Sequence, residues 1–412
     1  MRIRSITLFA DLAYPLDQEA LRGHGAFLAR ARQEFTAAGY SVQSVRLASQ
    51  PFVEVLGPGG AAAAPAFARE LEALVRAHGV DYVSIGPAGG PAGVHDAAAI
   101  EVLHTVLAET EAVFGAVDIA SQGGVHLAAV RQMAALIRAV ATLSPDGFAN
   151  LRLAALANCP PGSPFFPVAY AAGGGSSFAV ATEAADLALA AFEGAGGLAA
   201  GWAALVAAVE GEAALVEGIA AGLMDQGVAF GGIDFSLAPY PEEQRSLGAA
   251  IERLGVARVG AQGSLFSAAL LADALDHARF TRCGFSGLML PVLEDAVLAE
   301  RAAEGLLTVT DLLLYSAVCG AGLDTIPLPG DIGEDELAAI LLDVAALSTR
   351  LSKPLTARLM PIPGLRAGDP VAFPDFPYFA PSRVMAAKGS LGRPPLLLGG
   401  ETLTLRRLRG LA

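Results

Sequence analysis

Short apolar runs alternate with longer segments rich in Ala and Leu along most of the chain. Residues 3–9, carrying Ile3, Ile6, Leu8 and Phe9, read as a strand. Residues 18–38 repeat apolar side chains at helical spacing up to Gly39, a residue type that ends helices. Val42, Val45 and Leu47 alternate with polar neighbours and predict a second strand over 41–47. The alternation continues with a helix at 65–78, a strand at 81–86, a helix at 97–112, a strand at 115–120, a helix at 125–143 and a strand at 152–157. This last strand runs into the proline-rich turn CPPGSPFFP. Further strands are expected at 228–235, 256–260, 287–293 and 355–360, with helices between them. Strand followed by helix, repeated almost everywhere, points to parallel βα units and an α/β architecture.

Composition narrows the class. Of the 412 residues, 54% are hydrophobic and 17% charged, which excludes intrinsic disorder because so apolar a chain can bury a large core. The longest apolar stretch, 196–224, is cut by Glu210, Glu212 and Glu217, so no run reaches the roughly 20 residues of a membrane span. The opening run is soon interrupted by Asp11 and does not read as a secretory signal; a soluble, cytoplasmic protein is expected. A net charge of −14 argues against nucleic acid, which requires basic patches that this chain lacks. The three cysteines, Cys159, Cys283 and Cys319, are far apart and odd in number, so no disulfide framework is expected. Only Lys353 and Lys388 are available as Schiff-base lysines. Neither NAD nor pyridoxal phosphate is called for. No linker or charge block divides the chain: one domain is expected over 1–385, followed by an irregular tail over 386–412.

In parallel α/β sheets, sites gather at the carboxyl ends of strands. Those ends in this chain carry Asp11, Ser121 with Gln122, Asn158 with Cys159, Asp234 with Ser236, Glu294 with Asp295, and Arg358. Polar groups at the ends of apolar strands are costly to bury unless paired or placed in a cleft, so together they suggest one crevice lined with carboxylates and an arginine. Each residue taken singly is equally suited to capping the helix that follows it.

The segment 311–331 is the most unusual, with Cys319 and Gly320 ending a helical pattern, then Asp324, then Pro327 and Pro329 forcing an extended path. A cysteine on a glycine-flanked loop has the setting of a reactive thiol, or of a small buried hydrophobe at a helix end. Gly173–Gly175 precede a helical pattern but lack the lysine of a phosphate-binding loop. Zinc spacings and the GxSxG element are absent.

Six segments carry a family resemblance: RIRSITLFADLAYPLD, NLRLAALANCPPGSPFFPVAY, GGIDFSLAPYPEEQRSLG, GFSGLMLPVLEDAVLAERA, LLLYSAVCGAGLDTIPLPGD and LTARLMPIPGLRAGDP. Together they resemble the family called domain of unknown function 711, from the first strand to about residue 385. That family is similar to the pyruvate formate-lyase and ribonucleotide reductase group. The resemblance implies a ten-stranded α/β barrel of two five-stranded halves with a finger loop inserted into it. It places Cys319 on that finger and Asp234, Glu294 and Arg358 around the cavity. It also suggests a small ACT-domain protein as a partner. The tail carries Arg409 and Gly410 without the aromatic residue that follows the glycine of glycyl-radical enzymes, so radical chemistry is not expected.

The resulting expectation is a non-radical enzyme, a hydrolase, lyase or isomerase, acting on a small polar metabolite that bears a carboxylate. Arg358 would clamp that carboxylate, with Asn158, Asp324 and Ser236 as further binding residues. Asp234 and Glu294 would exchange protons and Cys319 would act as nucleophile or proton donor. Asp11 and Asp295, with Asp234 and Glu294, are candidate ligands for Mg²⁺, Mn²⁺ or Ca²⁺, which suit oxygen donors. A ligand-binding or regulatory protein without catalysis is the alternative. A homodimer is the default assembly.

Overall fold

The structure, a computed structural model, describes residues 1–89, 97–224, 227–389, 396 and 399–408. The Arg409–Gly410 pair weighed above lies outside the described residues. The strands are β1 (Arg2–Ala10), β2 (Val42–Ser49), β3 (Tyr82–Pro87), β4 (Val113–Ser121), β5 (Gly124–His126), β6 (Leu153–Ala157), β7 (Ser177–Glu183), β8 (Ala229–Asp234), β9 (Gly322–Pro329) and β10 (Leu355–Ile362). Nine of them follow the order β8-β7-β1-β2-β3-β4-β6-β10-β9 in one large mixed sheet, and β5 joins that sheet by pairing with the end of β4. Among the described residues no helix is long and apolar enough to cross a membrane.

Five strands, β1, β2, β3, β4 and β6, run parallel to one another. The pairs β7–β8 and β9–β10 are each parallel internally. They join the five through two antiparallel seams, β1 with β7 and β6 with β10. Among the described residues the continuous ladder ends at β8 on one side and β9 on the other. Three single parallel bridges lie between those ends: Ile233 with Arg282, Leu237 with Leu288, and Pro291 with Asp324.

The two faces of the sheet divide the chemistry. Alternation of side chains sends Val45, Leu47, Val83, Ile85, Val117 and Ile119 into the main apolar core, each at most 1% exposed. The helix Gln18–Ala37 buries Leu21, Phe27, Leu28, Ala31 and Phe35 in the same core. Burying one such side chain contributes about 1.5–3 kcal/mol. The alternate positions carry buried polar residues: Thr7, Ser44, Arg46, Ser84, Thr356 and Arg358.

The connection from β6 to β7 contains no helix, and residues 163–169 within it are buried. A buried loop needs partners for its backbone, and the polar strand positions supply some of them. The Thr7 hydroxyl donates to the carbonyl of Pro164 (3.4 Å) and that of Ser84 to the carbonyl of Ala169 (2.6 Å). Phe166 packs edge-on against Phe114 of β4, and Phe165 against Phe285. The loop therefore lies across the inner face of the sheet, touching both of its wings.

This corrects the expected finger. Cys319 sits in a short turn between the helix Val309–Tyr315 and β9, 1% exposed in the main apolar core, its N–H donating to the carbonyl of Tyr315 (2.8 Å). The inserted loop is the proline-rich 158–176. Two expected strands also differ: 256–260 forms a single bridge, Val259 with Ala261, and 287–293 forms two. Besides the short β5, which falls at the start of the helix expected over 125–143, two strands of the main ladder escaped the pattern. β7 follows the glycine run, and β9 contains Pro327 and Pro329, which a strand tolerates at the end of a ladder where one side has little pairing. Part of the expected irregular tail is ordered: Thr402–Leu403 pairs antiparallel with β5.

Asp295 is a structural centre. It caps the helix Ala296–Ala303, accepting from the N–H groups of Val297 (2.9 Å) and Leu298 (3.0 Å). Its other oxygen accepts from Leu247 (2.7 Å) and Gly248 (3.1 Å) at the start of the helix Leu247–Arg253, while the Ser246 hydroxyl donates at 2.5 Å. Two helix N-termini thus converge on one buried carboxylate, which leaves it nothing to offer a metal. Asp295→Ala strands those donors in the interior and should destabilise the protein by about 3 kcal/mol, read as a lowered urea midpoint. A midpoint equal to wild type would show that the helix ends find other acceptors.

Candidate functional site

Because the two seams are antiparallel, the carboxyl ends of β1–β4 and β6 face one end of the sheet and those of β7–β10 face the other. The expected single crevice therefore splits in two. A cavity of about 560 Å³ opens where the five parallel strands begin and the antiparallel ones end. Arg4 and Ser5 of β1, Arg46 of β2, Tyr82 of β3 and Phe114 of β4 line one side. Thr182 of β7, Ser236 after β8, Glu294 and Arg358 of β10 line the other. Phe165 and Phe166 of the inserted loop form part of the wall, with Phe376 and Tyr378 from the segment after β10. A shift in the β1–β7 register between Ile3 and Ser5 breaks the alternation there, so neighbouring Arg4 and Ser5 both reach the cavity.

Charge at the cavity wall is concentrated in one network. Arg358 donates from Nε to Asp324 Oδ1 (2.6 Å), from Nη2 to Glu294 Oε1 (3.0 Å) and from Nη1 to the carbonyl of Leu151 (3.4 Å). Arg4 donates to the other oxygen of Glu294. Burial alone would raise the Glu294 carboxyl, but Arg4 and then Arg358 outweigh it and hold it below the usual carboxylate range. Asp324 goes the other way: burial raises it, the neighbouring Glu294 charge adds to that, and Arg358 only partly compensates. Its Oδ2 is buried with no hydrogen-bond partner.

Arg46 is the exception in this network. Its Nε donates to Ser44 Oγ (2.8 Å), and its guanidinium lies 5.0 Å from the ring centre of Phe166 and 5.8 Å from that of Tyr82. Among the described residues no carboxylate forms an ion pair with it. Burial, then repulsion from Arg4 and Arg358, lowers its pKa to about 9, with Tyr82 and Glu294 offsetting part of the effect. Arg152, also on the wall, spends its donors on the carbonyls of Leu107 (2.7 Å) and Val113 (3.3 Å). The wall thus holds more positive than negative charge in a chain that is acidic as a whole.

The remaining expected residues separate. Asp234 is fully buried behind the cavity, accepting from the Ser236 hydroxyl (2.5 Å) and from the N–H groups of Ser286 (2.8 Å) and Phe285 (3.1 Å). Gly284, at φ +60°, lets the chain close over it; a Cβ there would lie 2.6 Å from Asp234 Cγ. Asp234 is therefore not a group that meets a ligand directly, whereas Ser236 is on the cavity wall. Asp11, at the other end of the sheet, accepts from the N–H groups of Gly174 (2.8 Å) and Gly175 (3.0 Å) in the glycine run. Asn158 and Cys319 also lie at that opposite end, next to the starts of β10 and β9. The four proposed metal ligands are not brought together, and among the described residues no group of three His, Cys, Asp or Glu side chains is placed to hold a metal ion. Arg358 lines the cavity but is already committed to two carboxylates, Asp324 and Glu294.

Arg4, Arg46 and the aromatic walls were missed because only strand carboxyl ends were read. The signal was present: arginines lie inside two mostly buried strands, Arg4 in RIRSITLFA and Arg46 in VQSVRLAS.

Comparisons with known proteins agree on one family. The family described as "Uncharacterised ACR (DUF711)" matches residues 1–381. A UPF0210 protein of Pyrobaculum arsenaticum is 39% identical over 352 residues, covering 80% of this chain and 76% of its own length. A UPF0210 protein of Listeria innocua is 29% identical over 382 residues, covering 88% of this chain and 83% of its own length. The match spans every strand of the main sheet and every residue named on the cavity wall, and the chain belongs to the DUF711 family.

Proposed function

We propose that this protein binds a small organic anion in the cavity between the two wings of the sheet, with Arg46 as its anchor. The observation that carries the reading is the uncompensated arginine: a buried guanidinium beside two others, facing a cavity, with no carboxylate of its own. A carboxylate or phosphate there would accept the forked N–H groups that the protein leaves over. The aromatic walls suit a ligand whose anionic head is attached to an apolar or planar body. At pH 7 Arg46 stays charged even with its pKa lowered to about 9.

The same reading includes closure of the sheet into a barrel. Five parallel strands form one half; β7, β8, the bridged segment 287–292, β9 and β10 make five for the other. The three single bridges between β8 and β9 support this count, as does the inserted loop packed against both wings.

The test is a thermal-shift series with phenylacetate, phenylpyruvate and phenyl phosphate, and with acetate as the small comparison. At least one aromatic anion should raise the melting temperature in a concentration-dependent way, as binding to the native state requires. Arg46→Gln should remain folded and lose that rise, because removing one partner of a desolvated charge pair costs about 2–5 kcal/mol of binding. An equal rise in the variant, or none with any anion, would remove Arg46 as an anchor.

A second reading, non-radical catalysis on the bound anion, is favoured by one contact. The Ser236 hydroxyl faces the cavity and donates to a buried carboxylate at 2.5 Å, and burial raises the pKa of Asp234, as a proton acceptor behind a hydroxyl requires. Incubating the stabilising anion overnight with protein and recording its proton NMR spectrum separates the two readings. Conversion by the wild type that is lost in Ser236→Ala supports catalysis; an unchanged spectrum leaves binding alone.

A further inference from the structure

A second cavity, of about 690 Å³, lies at the opposite end of the sheet, where β4 and β6 end and β10 begins. It is independent of the anion site. Asp118 of β4 points into it together with Asn158 and Cys159 after β6, Tyr170 of the inserted loop, and Leu405 and Arg407 of the tail. Among the described residues Asp118 has no hydrogen-bond or ion-pair partner. The buried carboxylates of Asp295 and Asp234 are each satisfied several times over, and beside them an unpartnered carboxylate facing a cavity stands out.

Two of the neighbours leave acceptors unused. Asn158 spends its amide donors on Ser348 Oγ (2.9 Å) and Thr349 Oγ1 (3.5 Å), which leaves its carbonyl oxygen for the cavity. Tyr170 donates its hydroxyl hydrogen to the carbonyl of Cys159 (3.0 Å), leaving the phenolic oxygen as an acceptor. Asn158 holds a left-handed backbone (φ +54°), a strained conformation that persists only where the surroundings fix it. The charged and titratable groups facing Asp118 are Cys159 and Tyr170 from the loop and Arg407 from the tail.

We infer that this cavity is a binding site for a small ligand carrying a primary ammonium group, with Asp118 as its counter-ion and Asn158 and Tyr170 as further acceptors. An ammonium has three donors and no acceptor, the complement of what these three side chains leave unused. The tail forms part of the wall: Thr402–Leu403 is paired with β5, the Leu408 N–H donates to the carbonyl of Arg350 (2.9 Å), and Arg350 donates back to the carbonyl of Arg406 (2.5 Å). Burial raises the Asp118 carboxyl to about 7, so it gains its charge near neutral pH. Below that value it is protonated and offers a cation nothing; affinity should fall about tenfold per pH unit there and level off above it.

The experiment is calorimetric titration of the full chain with n-butylammonium chloride at pH 8, with tetramethylammonium chloride as the probe that lacks N–H donors. Saturable binding of about one n-butylammonium per chain is expected, weaker by at least tenfold for tetramethylammonium and for Asp118→Asn. No saturation by 50 mM, equal affinity for the two cations, or an unchanged affinity in the variant would overturn the assignment. Should the variant not fold, the wild type decides: the carboxyl-carbon NMR signal of Asp118 is followed against pH with and without n-butylammonium. Its midpoint should drop by about one unit with the ligand, and a midpoint that does not move overturns the site.

Discussion

Strand β1 hydrogen-bonds to β2 in parallel and to β7 in antiparallel sense, and β6 is flanked in the same way by β4 and β10. These two seams decide which strand ends meet at each side of the sheet. A parallel α/β sheet gathers its strand termini at one end, but reversal at both flanks sends half of them to each end. The starts of β1 and β2, with Arg4 and Arg46, therefore meet the ends of β7 and β8, with Thr182 and Ser236. The ends of β4 and β6, with Asp118 and Asn158, meet the start of β10 at the other side.

Between the seams the inner face of the sheet is polar, and two different demands account for that. One is the inserted loop, whose carbonyls at Pro164 and Ala169 take hydrogen bonds from Thr7 and Ser84 and would otherwise be buried without donors. The other is electrostatic. Glu294 receives both Arg4 and Arg358, so its charge is matched twice over, while Arg46 shares the same interior without a carboxylate. A fold selected for stability alone would tend to replace Arg46 with an apolar side chain, since isolated buried charge is costly. Its retention among Phe166 and Tyr82 is what makes the cavity read as a site.

Much of the fold was legible in the apolar pattern. β1, β2, β3, β4, β6, β8 and β10 fall on predicted strands, because each is a short, apolar-rich run bounded by helical or turn-forming sequence. The misses have physical causes. β7 begins immediately after a glycine run that reads as a turn, and β9 carries prolines that a strand accepts only with reduced pairing. Missing those two strands also hid the reversal of direction, and with it the site: Asp11, Asn158 and Cys319 were grouped with Glu294 and Arg358 although the seams put them at the other end. Ser236, Glu294 and Arg358 were found because they follow or lie within strands of the reversed wings. Arg4 and Arg46 were not, since they sit where strands start. Whether a carboxylate is a ligand or a brace was not legible at all. Asp295 and Asp234 differ from Asp118 only in the donors that tertiary structure brings to them.

The two cavities also differ in which part of the chain builds them. The family match ends at residue 381, and the cavity beside Arg46 is complete within it, up to Phe376 and Tyr378. The wall of the second cavity includes Leu405 and Arg407, beyond the matched residues. Its core, Asp118, Asn158 and Tyr170, lies within the match, while access to that core is bounded by a tail held through a two-residue strand and a few backbone hydrogen bonds. The tail is also fastened by side chains, Arg131 donating to the carbonyl of Gly399 and Thr404 to that of Gly123, so the second cavity depends on contacts that the matched residues alone do not supply.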